Sequence, residues 1–182
     1  MVRWAAAKRE VMEALAAEIA HNYGRGRTIV AVDGSTTSGF ADDLGVALEQ
    51  AGHLVFRASA GDFRRPADDH SNDQDLLGLD LSLFRRVLIE PFRLAGSTGF
   101  VLDAYDAERD VAVEPKWITA GPDAILVVDG QNLHRPELVG TWNYSLWLDD
   151  GAGTDQVARS TAAAVIDLRD PEQPRRLFAD SC

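Results

Sequence analysis

Residues 29–45, IVAVDGSTTSGFADDLG, decide how this chain folds. An apolar run ends in Asp33 and Gly34, four small polar residues follow, and a second glycine, Gly39, comes before a run with helical spacing. A continuous apolar run that ends at a glycine loop is typical of a buried parallel strand. The stretch therefore predicts a strand, a tight turn between two glycines, and a helix.

The turn has the spacing of a phosphate-binding loop but lacks two of the side chains that such a loop uses. In the pattern G-x-x-x-x-G-K-[ST], backbone amides surround the phosphates, the lysine reaches the β and γ phosphates, and the hydroxyl binds Mg²⁺. Here Phe40 replaces the lysine, Ala41 replaces the hydroxyl, and Asp42 and Asp43 follow in the expected first turn of the helix, where they suit the helix dipole.

We therefore expect this degenerate phosphate loop to bind triphosphate poorly and to serve as a structural turn, with an aromatic ring in the former phosphate site. Its members are Gly34, Ser35, Thr36, Thr37, Ser38, Gly39, Phe40 and Ala41.

Composition limits the classes of function. The chain has 182 residues, a formal net charge of −11 and a single cysteine, Cys182. This length suits one domain with a substantial core, and we predict a single domain over residues 1–182. The negative charge argues against nucleic acid and anionic membranes as partners, and no apolar run reaches the ~20 residues of a membrane span. A lone cysteine fits the reducing cytoplasm, which is the expected location.

Strands and helices are predicted to alternate along the chain. Hydrophobic spacing predicts helices at 3–22, 40–52 and 79–94, strands at 28–33, 53–59, 124–130, 144–150 and 162–168, and a hairpin formed by 99–106 and 110–118. Pro91 is expected to mark the end of the third helix. This alternation favours a parallel sheet with helices on both faces, and ligands bind such sheets at the carboxyl ends of the strands.

Five segments, in order, resemble one known family. They are IVAVDGSTTSG (29–39), LVFRASAGDFRRP (54–66), the stretch from FRRVLIEPFRL to HRPEL (84–138), WNYSLWLDD (142–150) and AAAVIDLRDPEQPRRL (162–177). Together they resemble the uridine kinase-like P-loop kinases, especially the compact bacterial forms. The resemblance implies a three-layer α/β sandwich whose core spans 28–177, with a five-stranded parallel sheet, a small β-hairpin and an added N-terminal helix at 3–22.

Two further segments depart from that family. Between the fourth and last strands, GAGTDQVARST (151–161) leaves room for a turn or two of helix and no lid, with Arg159 as its one basic residue. A lid would exclude water and bring cations to the transferring phosphoryl group. The segment RRPADDHSNDQDLLG (64–78) is short and acidic, and we expect a loop over the site.

The acceptor side of the family site is better preserved. The resemblance implies that Asp62 matches the acid that acts as base on the acceptor hydroxyl and that Asp129 matches the acidic end of the third strand. With Asp33 these are the candidate catalytic residues, because a carboxylate among carboxylates can have a raised pKa. The candidate substrate-binding residues are Phe40, Arg65, His70, Asp103, Tyr105, Asp106 and His134. We expect neither a metal site nor a cofactor.

Three functions stay open at this stage. In the first, the chain no longer transfers phosphate and binds, or transforms by acid/base chemistry, a polar small molecule in the former acceptor pocket. In the second, it is a working nucleoside kinase with atypical ATP binding. In the third, it is a non-catalytic partner in an oligomer such as a homodimer, formed through apolar surface around Trp142 and Trp147.

Overall fold

The computed structural model describes residues 4–64, 78–94, 96–106, 109–152 and 155–178. Six strands form the main sheet: β1 Thr28–Asp33, β2 Leu54–Ser59, β5 Ala124–Gly130, β6 Tyr144–Asp149, β7 Ala164–Asp167 and β8 Arg175–Leu177. A separate hairpin consists of the short strands β3 Tyr105–Asp106 and β4 Val111–Ala112. The order in the main sheet is β2-β5-β1-β6-β7-β8, and the first five of these run parallel. The predicted α/β class, parallel sheet and hairpin are thus confirmed.

The sheet has one strand more than predicted. β8 is antiparallel to β7 and adds a sixth strand at the edge. Its residues are Arg-Arg-Leu, so it carries no apolar pattern that could reveal it. It is held by backbone pairing and by Arg176, whose guanidinium donates to the carboxylate of Glu18 on the N-terminal helix. Such contacts between distant parts of the chain leave no mark in a local window of sequence.

The helices pack in layers on the two faces of the sheet. They are α1 Ala6–Tyr23, α2 Ser38–Gln50, α3 Leu81–Phe84, a π-helical segment Arg85–Ile89, α4 Glu90–Leu94 and α5 Gln156–Thr161. Val30 and Val32 of β1 face a core shared with α1 and α2. Ile29 and Ala31 face a second core shared with the α3–α4 helix. Because both faces of β1 are covered, all six of its residues are buried, as its continuous apolar sequence predicts.

The start of α2 differs from the prediction in a way that matters for charge. The helix begins at Ser38 rather than at residue 40, so Asp42 and Asp43 lie in its second turn and not in its first. Asp42 accepts a hydrogen bond from Arg57 at 3.0 Å, and Asp43 accepts one from the Trp4 indole at 2.8 Å. These acids are therefore stabilised by specific side chains from other segments rather than by the helix dipole.

Pro91 does not end its helix, contrary to expectation. The helical run continues to Leu94, with a π-helical segment just before the proline. A proline inside a helix leaves the carbonyl four residues earlier without its usual donor. That carbonyl belongs to Val87, and the backbone amide of Val101 donates to it at 2.9 Å. A neighbouring segment thus supplies the hydrogen bond that proline cannot make.

None of the helices in the described part of the chain is long and apolar enough to cross a membrane.

Phe40 belongs to the core rather than to an open loop. Its side chain is 5% exposed and packs in the same cluster as Trp4, Leu44, and Val30 and Val32 of β1. The neighbouring Ala41 is fully buried. The position where a phosphate loop carries lysine is therefore part of the hydrophobic core that α2 shares with α1 and one face of the sheet.

Replacing Phe40 with alanine should lower the free energy of unfolding by about 3–5 kcal/mol, because a large buried ring is lost and a cavity remains. Urea unfolding at neutral pH measures the change. Phe178→Ala is the matched control: that ring is 76% exposed and touches only the Arg176 guanidinium among the described ring and cation contacts, so its loss should cost about 1 kcal/mol or less. Equal costs for the two substitutions would contradict the assignment of Phe40 to the core.

Candidate functional site

The carboxyl ends of three parallel strands bring the candidate catalytic acids to one edge of the sheet. Asp33 ends β1 and is in register with Gly130 of β5, while Asp129 is in register with Ser59 of β2. A short 3₁₀ helix, Ala60–Phe63, follows β2 and carries Asp62. The expected convergence at this edge follows directly from parallel pairing.

Two glycines allow the loops at this edge to pack closely. A Cβ on Gly34, whose φ is +153°, would lie 3.0 Å from the carbonyl oxygen of Leu148, and one on Gly130 would lie 2.8 Å from the Cβ of Ala60. The amide of Gly34 also donates to the carbonyl of Gly130 at 3.2 Å. By contrast, a Cβ on Gly39 would meet open space. The first glycine of the old loop is required by packing, and the second is not required by any described neighbour.

The remaining loop hydroxyls bind carboxylates of the protein. Ser35 donates to Asp150, and this hydrogen bond, followed by one from the Ala152 amide, holds the pKa of Asp150 below its usual value. Thr37 donates to Asp129 at 3.0 Å instead of capping α2 with its side chain. Two hydroxyls of the loop are therefore bound to carboxylates of the protein, whereas a triphosphate-binding loop contributes a cation to phosphates.

Arg57 on β2 is a site residue that sequence reasoning missed. Its guanidinium donates to Asp42 at 3.0 Å, to Asp129 at 2.9 Å and to the carbonyl of Val127 at 2.8 Å. Both oxygens of Asp129 are thus engaged, one by Arg57 and one by Thr37, while the residue is only 4% exposed. The available signal was an arginine inside the otherwise apolar strand LVFRAS.

Asp62 is the candidate acid with the most open surroundings. It lines a cavity of about 430 Å³ together with Arg57, Asp103, Asp129, Ser38 and Leu102. Partial burial raises the pKa of the Asp62 carboxyl, the negative charges of Asp103 and Asp129 raise it further, and Arg64 opposes them. The amide of Ala104 donates to the Asp62 main-chain carbonyl at 2.9 Å, which fixes the hairpin segment against this wall.

The candidate residues of the hairpin have different surroundings. Asp103 is exposed and lines the Asp62 cavity. The Tyr105 hydroxyl bonds to Asp110, and Asp106 accepts from the Arg109 amide at 3.1 Å. Neither Tyr105 nor Asp106 is among the residues that line the cavity.

Asp33 and His134 bond to each other, away from Asp62. Both the backbone amide and Nδ1 of His134 lie within hydrogen-bond distance of Asp33 Oδ2, at 2.9 and 2.8 Å. The two side chains are 0% and 5% exposed. Neither residue lines the Asp62 cavity, and neither does Phe40. Arg65 and His70 lie outside the described residues.

Two more cavities lie beside the degenerate loop. One of about 130 Å³ is bounded by Ser35, Thr37, Ser59, Arg64 and Gln131, among others. The other, of about 590 Å³, lies between the loop and α5 and includes Trp147 in its wall.

The connection between β6 and β7 carries the six-residue helix α5. Its one arginine, Arg159, forms an ion pair with Asp149. The short connection predicted from the sequence is thus present, and its arginine is paired with a carboxylate of the protein.

The tryptophans that suggested an oligomer surface are only partly exposed. Trp142 donates through its indole to the carbonyl of Leu133 at 2.8 Å and packs against the second core.

Across the described ranges, no three His, Cys, Asp or Glu side chains are grouped so that they could hold a metal ion.

Comparison with known proteins supports the fold through solved structures. No family model and no curated protein matches the sequence. The structure is similar to that of a "possible uridine kinase" from Bacillus stearothermophilus, with a TM-score of 0.64, 20% identity, and coverage of 78% of this chain and 80% of that one. It is also similar to a "putative fructose transport system kinase" from Silicibacter sp. TM1040, with a TM-score of 0.61, 20% identity, and coverage of 75% and 73%. This chain therefore has the P-loop kinase fold that its five ordered segments indicated.

Proposed function

We propose that this protein binds a polar small molecule in the cavity beside Asp62, uses Asp62 for proton transfer, and does not transfer phosphate from ATP. The observation that carries the proposal is the placement of Asp62, with its raised pKa, in a cavity of about 430 Å³ on the former acceptor side. The kinase fold supplies the geometry, and fold alone does not fix the activity.

The proposed loss of phosphoryl transfer is supported by the cations of the old phosphate site. Phe40 and Ala41 are buried in the core at the positions of the lysine and the hydroxyl. Arg57 is bound to Asp42 and Asp129, and Arg159 is bound to Asp149. Phosphoryl transfer depends on cations that neutralise charge on the transferring group, and these arginines already neutralise carboxylates of the protein.

Asp62 has the chemistry of a proton acceptor. A carboxyl whose pKa is raised toward neutrality exchanges a proton with a substrate more readily than an ordinary aspartate. In the proposed step, a ligand hydroxyl or ammonium group donates a proton to a carboxylate oxygen of Asp62. The ligand O–H or N–H bond breaks, an O–H bond forms on Asp62, and the electron pair stays on the ligand oxygen or nitrogen. Asp129 cannot easily share this role, because Arg57 and Thr37 occupy both of its oxygens.

A working nucleoside kinase is the second candidate, favoured by the fold shared with a "possible uridine kinase". Calorimetric titration with Mg-ATP, and separately with uridine, distinguishes the two. We expect no saturable heat with Mg-ATP, because the buried Phe40 stands where a lysine is required and the loop residue Ser35 donates to the carboxylate of Asp150. A P-loop kinase with an intact lysine, titrated in the same buffer, is the positive control. Micromolar binding of Mg-ATP would remove our proposal.

A thermal-shift screen first identifies a nucleoside, a hydroxy compound or an amino compound that raises the melting temperature of the protein. Asp62→Asn then tests whether Asp62 transfers a proton in a reaction of that compound. The amide keeps the shape of the side chain but cannot accept the proton, so turnover should fall about 10²-fold or more while ligand affinity changes much less. Asp170→Asn, in the exposed turn after β7, is the matched control and should keep wild-type turnover. Undiminished turnover in the Asp62 variant would exclude Asp62 as the base.

The raised pKa of Asp62 also predicts how stability depends on pH. Between the ordinary carboxyl range and the raised native pKa, the folded state binds more protons than the unfolded state, so this group makes the protein less stable as pH rises. Asp62→Asn removes that penalty. We expect its unfolding free energy, relative to wild type, to increase from acidic to neutral pH in urea titrations.

Asp150→Asn is the control of opposite sign. The pKa of Asp150 is lowered, so its charge stabilises the folded state above the unfolded pKa, and this contribution is lost as pH falls through the folded pKa. The Asp150 variant should therefore become less stable than wild type as pH rises. A flat or reversed profile for Asp62→Asn would contradict the assigned cause of its shift.

A further inference from the structure

Three buried polar atoms without hydrogen-bond partners lie close together in the fold. They are Asp33 Oδ1, His134 Nε2 and Trp147 Nε1, and no other buried side-chain nitrogen or oxygen among the described residues lacks a partner. Asp33 and Trp147 are in register on the adjacent parallel strands β1 and β6, so their side chains leave the same face of the sheet. His134 is bonded to the other oxygen of Asp33.

Such a concentration needs a physical cause, because buried polar groups in folded proteins nearly always have partners. Nδ1 of His134 must donate to the Asp33 carboxylate, which leaves Nε2 as the free ring nitrogen. The unpartnered set then comprises a carboxylate oxygen that accepts, an indole N–H that donates, and an imidazole nitrogen that accepts when neutral and donates when protonated.

One of these residues lines the cavity of about 590 Å³, and the other two lie close to lining residues along the chain. Trp147 lines it, Asp33 is two residues from the lining residue Ser35, and His134 is two residues from the lining residue Asn132. None of the described lining residues is Lys, Arg or His, whereas Asp150 lies in the wall. This wall disfavours a phosphate or carboxylate ligand. The cavity shares no lining residue with the one beside Asp62.

We propose that this cavity binds a neutral polyhydroxyl molecule, such as a sugar or cyclic polyol, and that one ligand hydroxyl supplies the missing partner of Asp33, His134 and Trp147. A hydroxyl has one donor hydrogen and two acceptor lone pairs. It can donate to Asp33 Oδ1 while it accepts from the Trp147 indole N–H, and its second lone pair can accept from Nε2 of His134 when that nitrogen carries a hydrogen. The amide side chains of Asn132 and Gln156 in the wall offer donors and acceptors to further hydroxyls.

Trp147 is the side chain that opens the way to these atoms. The three atoms are buried, and among the three residues it is Trp147 that forms part of the cavity wall. Because its N–H has no partner, the indole can turn without breaking a hydrogen bond. Ligand binding then changes the environment of this indole directly, and the indole N–H signal becomes the natural reporter.

The test is a titration of the isotopically labelled full chain with D-glucose and with myo-inositol, followed by ¹H–¹⁵N spectroscopy. The chain has four tryptophans, and Trp147→Phe identifies the relevant indole signal by its disappearance. We expect a saturable shift of that signal with at least one of the two compounds and a smaller response to glucose 6-phosphate. No saturable shift with either neutral compound, or a stronger response to the phosphate, would overturn the proposal.

Variants locate the site. Asp33→Asn removes the charge, and His134→Asn keeps a donor toward Asp33 while it removes Nε2. Each should weaken binding about tenfold or more, whereas Asp170→Asn should leave it unchanged. If Asp33→Asn does not fold, the test uses His134→Asn together with Trp147→Phe, and calorimetry measures the affinity of each variant for the neutral compounds. Wild-type affinity in the folded variants overturns the proposal. So does a loss of binding confined to Asp62→Asn, which would instead place the ligand in the Asp62 cavity.

Discussion

The close approach of Gly34 to the neighbouring strands sets the geometry at the carboxyl edge of the sheet, where the candidate site lies. Its amide bonds to Gly130, and the backbone of β6 lies where any side chain at this position would project. This contact joins the ends of β1, β5 and β6 into one surface, and it requires no phosphate or metal. The geometry of the turn is therefore held by the sheet itself and does not depend on a bound nucleotide.

The carboxylates at this edge are bound by internal contacts of the protein. In a phosphate loop, a lysine and a metal ion balance the charges of the phosphates and of the acidic strand end. Here Arg57 balances Asp129 and Asp42, and Thr37 fills the remaining oxygen of Asp129. A buried carboxylate that lost its cation without such a substitute would be strongly destabilising. The absence of a lysine at position 40 and the presence of Arg57 on β2 therefore belong to one electrostatic arrangement.

Much of the fold could be predicted because its signals are local. The buried parallel strands are continuous apolar runs, and β1 and β5 begin and end at the predicted residues. The acids at the carboxyl edge follow from the parallel pairing. What the sequence hid depends on contacts between distant segments: the Val101 amide that lets Pro91 remain inside a helix, and the polar strand β8.

The site, like the fold, has features with a local sequence signal and features that depend on contacts between distant segments. Asp62 could be found as an acid after a strand, but its raised pKa depends on burial and on neighbours far along the chain, Asp103 and Asp129. Arg57 looked like an ordinary strand residue and Trp147 suggested an oligomer surface, because a window of sequence does not show which carboxylate or cavity a side chain will meet. Asp33 was expected to act with the other acids, yet its hydrogen bonds turn it toward His134.

The degenerate loop separates two environments of different chemistry. On the side of β2, burial and the neighbouring carboxylates of Asp103 and Asp129 raise the pKa of Asp62. On the side of β6, a carboxylate, an imidazole and an indole share one unfilled set of hydrogen bonds beside a larger cavity. In an active kinase the corresponding sides must cooperate on one transferred group, which passes between them. The function proposed above removes that transfer, and with it the requirement that the two sides match, so each side could then suit a ligand of its own.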